Sequence, residues 1–140
     1  MLDADLLDEL DEASRNVAGV IRVPTEVATA YVHGLAAAFV ADPSNFHWWE
    51  SLKGGATRIS YGNDDGLATL ERMLGEQAEI RLVVTDETAP PWPVYAGSAT
   101  QLIAMLRECR FCEYMVASPD MSWVVFDTHM NELVSVGLKL

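Results

Sequence analysis

The chain has 140 residues, a formal charge of −12, and a composition that is 50% hydrophobic and 9% aromatic. That is long enough for one domain with its own core, too apolar for disorder, and too acidic to favour a phosphate backbone, so no nucleic-acid partner is expected. No apolar run approaches the ~20 residues of a membrane span. Two Cys without a disulfide framework, and an acidic, patterned start unlike a signal peptide, make the cytoplasm the expected compartment.

Residues 3–17 are predicted to form an amphipathic helix. Leu6, Leu7, Leu10 and Val17 share a stripe, and Asp3, Asp5, Asp8, Glu9, Asp11 and Glu12 fill the rest. The early carboxylates suit the positive end of the helix dipole, and Arg15 suits the other end. Gly19 breaks the pattern, and GVIRVP reads as a short extended connector. A second helix is expected over 25–41, where Val27, Ala30, Tyr31, Leu35, Ala38 and Phe39 repeat at helical spacing and Asp42-Pro43 stops the run. Its other side, Ala28, Val32, Ala36, Ala37 and Val40, is also small and apolar. Such a helix is usually covered on both sides. The first helix and a second protomer are the expected covers, which makes a homodimer through residues 25–41 an expectation.

Residues 46–61, FHWWESLKGGATRISY, fit two strands around Gly54-Gly55, or a short helix followed by a strand. Extended structure is favoured at 57–61. NDDG is a turn in which Asp64 or Asp65 can cap a helix carrying Leu67, Leu70 and Leu74, and Gly75 is placed to end it. IRLVVT (80–85) reads as a strand, DETAPPWP as a stiff loop, and 94–96 as a further short strand. Ser98 and Gln101 have capping-box spacing before a helix that buries Leu102, Ile103 and Leu106.

Three C-terminal strands, 111–117, 122–128 and 133–138, separated by short polar loops, form an antiparallel meander. Pairing 117 with 122 and 128 with 133 gives one face Cys112, Tyr114, Val116, Trp123, Val125, Val134, Val136 and Leu138, with Asp127 as its only charge. The other face then holds Phe111, Glu113, Met115, Val124, Phe126, Thr128, Leu133 and Ser135, the mix expected of a partly covered or ligand-facing surface. A slip of one residue exchanges the faces. The expected architecture is α+β: a mostly antiparallel sheet ending in the meander, with helices packed mainly on one side. It is one domain, with residues 1–43 as a helical part and 44–140 as the α+β core.

Complete chemical motifs are missing. Cys109-Arg-Phe-Cys112 has no second pair, His33, His47 and His129 are scattered, and a redox pair would open a helix rather than close one. GNDDG lacks the flanking acids of a calcium loop, and Lys53-Gly54-Gly55 lacks phosphate-loop spacing. No catalytic residue, metal site or cofactor is therefore expected. Asp127, His129 and Glu132 fit an acid–base group or half a metal site, or fit turn residues that satisfy the backbone. On a strand, Trp48 and Trp49 would point to opposite faces, leaving one exposed as a binding anchor. The candidate binding residues are Trp48, Trp49, Glu50, Glu113, Asp127 and His129.

The order W-W-E-x-L-K (48–53), W-x-V-Y-x-G (92–97), E-C-x-x-x-E-Y (108–114), Ser122-Trp123, His129 and L-x-x-x-G (133–137) resembles a family of small uncharacterised bacterial proteins over roughly residues 46–138. Where that family carries a second His beside the first, this chain has Met130, which argues against a His-pair metal site. The resemblance implies a small acidic protein similar in character to toxin-immunity proteins. Two functions follow as expectations. One is a non-enzymatic acidic binder that neutralises a basic, toxin-like protein, with carboxylates steering the encounter. The other is a small-ligand binder or weak hydrolase with a pocket involving Glu113 and His129.

Overall fold

β-Branched and aromatic residues in runs of four or five build short strands, and in the computed structural model, which describes residues 1–62, 65–128 and 130–139, those strands join into one antiparallel sheet. In chain order the elements are α1 (Ala4–Asn16), β1 (Ile21–Arg22), α2 (Thr25–Phe39), a 3-10 turn (Trp48–Glu50), β2 (Thr57–Ser60), α3 (Gly66–Leu74), β3 (Ile80–Val84), β4 (Val94–Gly97), α4 (Ala99–Arg107), β5 (Tyr114–Ala117), β6 (Val124–Asp127) and β7 (Glu132–Val136). The sheet order is β1-β4-β3-β5-β6-β7-β2. The fold is α+β, and the C-terminal meander supplies three adjacent strands.

Period-2 alternation sends side chains to two faces, and both are covered. One face carries Leu82, Tyr95, Tyr114, Val116, Val125 and Leu133 under α1, α3 and α4, whose Leu6, Leu10, Leu70 and Leu102 are fully buried. The other carries Val83, Val94, Met115, Phe126 and Val134 under α2 and three Trp, at 48, 49 and 92. The expected caps form. Asp65 accepts from the Leu67 and Ala68 amides at the start of α3, Ser98 and Gln101 complete the capping box of α4, and Gly75 closes α3 with φ +60°. Asp64, the alternative cap, lies outside the described residues.

Two expectations change. The first helix does not cover the second. α1 and α2 pack on opposite faces of the sheet, and α2 is covered on one side, through Ala28, Val32 and Leu35. Its outward side, including Val27 and Ala37, is exposed. The meander registers also differ from the expected pairings: in β5–β6 Ala117 pairs with Val124 rather than with residue 122, a shift of two that leaves the faces unchanged, and β6–β7 is shifted by one. Asp127 pairs with Leu133 and Val125 with Ser135, so Leu133 joins the α1–α3–α4 face and Val134 the Trp face. The turn sets this. The Thr128 amide donates to the Glu132 carbonyl at 3.0 Å, and Asn131 adopts φ +55°, closing the hairpin one residue sooner than a 128–133 pair would.

Candidate functional site

The site is assembled where α3 begins and α4 ends above the mouth of β5 and β6. Asp65 caps α3 and its carboxylate receives Arg107 from the last turn of α4 at 2.7 Å, tying the two helix ends together across the opening. Arg110 then anchors the α4–β5 connection to α1 through Asp3 at 2.9 Å and Glu9 at 3.7 Å. Between these braces lies a cleft of about 670 Å³, a volume within the range of small-molecule sites. Leu67, Leu106, Phe111, Cys109 and Cys112 give it apolar walls, while Arg107 and Arg110 flank it. Gly66 is needed here, because a Cβ would stand 2.8 Å from the Tyr61 ring, which helps form the wall.

The inner wall holds Asp127, which is 3% exposed. Strand pairing places it opposite Tyr114. Tyr61 arrives from the end of β2 and donates its hydroxyl to Asp127 Oδ1 at 2.7 Å. The Tyr114 hydroxyl lies close enough to help hold the same carboxylate, although its geometry falls short of a proper hydrogen bond. Burial pushes the Asp127 carboxyl above the usual aspartate range, the two tyrosines pull it back, and nearby Glu113 adds to the rise. Burial, and then Asp127 itself, raise the Tyr61 hydroxyl above the normal phenol range, so it stays a donor at neutral pH. Burial likewise lifts Cys109 to about 11 and Cys112 to about 12, so both are thiols in the cleft wall rather than nucleophilic thiolates.

A pH signature follows. The folded state holds the Asp127 proton to higher pH than the unfolded chain does, so it binds more protons across that interval and loses stability as pH rises through it. Asp127→Asn keeps an acceptor for Tyr61 and removes the titration. Relative to the wild type, it should gain stability as pH rises from the ordinary aspartate range towards neutrality. Urea melts across that range would check this, and a stability difference independent of pH would count against a buried, proton-retaining carboxyl.

The sequence candidates are scattered over this frame. Asp127 is in the cleft. Glu113, 4% exposed, is not among its described lining residues; it borders a small void beneath Trp49 with Thr85 and Phe126. Trp48 and Trp49 are both buried, at 4% and 6% exposure, because residues 48–50 form a 3-10 turn rather than a strand. Neither Trp is therefore an exposed anchor. Glu50 is exposed and faces His47. His129 lies outside the described residues. Tyr61, Tyr114, Arg107 and Arg110 were not singled out from the sequence. Only the pattern E-Y at 113–114 pointed near them, since the pairings are long-range.

No helix among the described residues is long and apolar enough to cross a membrane. Comparison with protein-family models, curated proteins and solved structures found no match to this chain.

Proposed function

We propose that the protein is a small-molecule binding module whose ligand enters the cleft between α3 and α4 and presents a hydrogen-bond donor, an amine or a hydroxyl, to Asp127. The observation that carries this reading is a carboxylate 3% exposed at the inner wall of a cleft of about 670 Å³. A buried acid is costly to keep unless something at the site uses it. The ligand body is aliphatic or aromatic, matching Leu67, Leu106 and Phe111, and its size is set by the span between the helix ends. Binding rather than turnover suits the residues present. The cysteines are held as thiols, and Asp127 already receives the Tyr61 hydroxyl.

A second reading, an acidic surface that captures a basic, toxin-like protein, rests on a different observation. Arg22, Arg58, Arg81, Arg107 and Arg110 are all engaged in ion pairs with neighbouring carboxylates. The surplus behind the net −12 is therefore left on exposed positions such as Asp5, Asp8 and Glu12 along α1. That arrangement steers cationic partners at low salt. The resemblance to small bacterial proteins of immunity-like character, cytoplasmic in setting, agrees with it.

One experiment separates the two. The tagged protein is purified from lysate at low and moderate salt, and the retained material is examined for proteins and, after extraction, for small molecules. Leu67→Trp, which narrows the cleft mouth, is processed alongside. A small molecule retained at both salts and depleted at least tenfold by Leu67→Trp is the expected result. A basic protein lost as salt rises, and indifferent to Leu67→Trp, would instead establish the second reading and overturn the first.

A further inference from the structure

On the Trp side of the sheet, three side chains distant in sequence converge. His47, Glu87 and Glu113 each offer one donor atom, and the three atoms lie within 4.8 Å of one another. Each is held by its own segment. The His47 amide donates to Asn45 Oδ1 at 3.0 Å, and its ring lies 5.5 Å from that of Trp49. Glu113 sits immediately before β5, and its carbonyl accepts from the Thr85 and Asp86 amides at 3.1 and 2.9 Å, which draws the β3–β4 loop over it. In that loop Glu87 adopts φ +56°, a left-handed conformation that non-glycine residues adopt infrequently.

We propose that His47, Glu87 and Glu113 form a binding site for one divalent transition-metal ion of the zinc or manganese type, distinct from the Asp127 cleft. The donor set is one imidazole nitrogen and two carboxylates, which suits borderline-to-hard divalent ions, and the two carboxylates balance the ion's charge. Nε2 of His47 stands 3.6 Å from Glu87 Oε1. Donors around an ion with bonds of ~2.0–2.2 Å sit roughly 3–3.5 Å apart, so this pair must approach by a few tenths of an ångström, and the three together must draw in from a spread of up to 4.8 Å. Glu87, whose side chain is 52% exposed, supplies a ligand from the solvent side, and Glu113, 4% exposed, supplies the buried one.

Glu50 supplies an independent sign. Its Oε1 stands 3.6 Å from Nδ1, the other ring nitrogen of His47. A carboxylate on the side of a histidine away from the ion is the arrangement that, once drawn to hydrogen-bond distance, fixes the orientation and tautomer of a metal-bound imidazole. Three protein ligands leave the remaining positions to water or to a ligand atom.

The full-length protein is stripped with chelator and titrated at neutral pH with zinc, manganese and cobalt chlorides, by calorimetry and by cobalt absorption. The expected result is one equivalent bound with a dissociation constant in the micromolar range or below. Glu87→Gln, on an exposed side chain, and Glu113→Gln, close to isosteric, should each weaken binding at least tenfold. Glu50→Gln should weaken it about tenfold through His47 alone, while Glu12→Gln, at an exposed position of α1 on the other side of the sheet, should leave it unchanged. Circular dichroism confirms that each variant is folded. No stoichiometric uptake at 0.1 mM metal, or uptake unaffected by Glu87→Gln and Glu113→Gln, would overturn the site.

Discussion

Trp48→Ala should lower folding stability by about 3–5 kcal/mol, the cost of emptying a large aromatic site in a packed core. Trp48 is 4% exposed and meets Trp92 edge-on, with ring centroids 4.9 Å apart and planes at 72°. Such a pair adds roughly 0.5–1.5 kcal/mol beyond its buried area. The indole N–H also donates to the Pro43 carbonyl at 3.3 Å, fixing the turn that carries residues 48–50. Phe126, Met115 and Val134 complete the cluster beneath it. Removing the ring therefore opens part of the cover that α2 and the three Trp form over this face of the sheet. Equilibrium urea melts would measure the loss. A loss below about 1 kcal/mol would mean that Trp48 packs as a surface residue and would return it to consideration as a partner-binding anchor.

Gly137→Ala should cost roughly 2–5 kcal/mol, for two reasons that add. Gly137 has φ +80°, where a side chain costs about 1–2 kcal/mol. A Cβ there would also stand 2.4 Å from the Ser122 backbone carbonyl oxygen and 3.3 Å from Trp123 Cα. Neither neighbour is a flexible chain end, so β6 or β7 must shift to make room, at the further cost typical of overpacking. Gly54→Ala is the control. Nothing lies within 4 Å of the Cβ it would add, and its φ is not positive, so it should stay within about 0.5 kcal/mol of wild type. Thermal melts of the two variants side by side would check this, and equal melting temperatures would contradict the close approach of β7 to residues 122–123.

The two results bear on different parts of the molecule. Trp48 holds the wall behind which His47 and Glu113 meet, so its loss should also loosen the proposed metal site. Gly137 closes the far end of β7, away from the cleft, so a Gly137→Ala variant that folds should retain ligand binding at Asp127. A cleft ligand would add stability in proportion to its concentration above its dissociation constant. The same melts, repeated with an extracted ligand, would therefore report binding without an activity assay.

Local chemistry was legible in the sequence. The helices at 4–16, 25–39, 66–74 and 99–107 follow from 3.6-residue apolar spacing, and the Ser98–Gln101 box and Asp65 cap form because each needs partners only two or three residues away. The strands at 80–84, 94–97 and 114–117 follow from β-branched and aromatic content. Asp127 stood out as the single charge on an otherwise apolar face, and it is the acid in the cleft wall. What needed the folded chain was whatever depends on distant partners. Whether Trp48 and Trp49 are buried turns on Trp92 and Phe126, far along the chain, and on a 3-10 turn that breaks strand alternation. The faces of Leu133 and Val134 turned on a hairpin that closes one residue sooner. His47, Glu87 and Glu113 have no shared spacing, because backbone bonds from the 85–86 loop to Glu113 bring two of them together and a separate loop delivers the third. Apolar period and capping are short-range signals written within a turn or two of chain, whereas a cleft or a ligand cluster is a property of which strands pair, and that is decided only when the sheet closes over its cores.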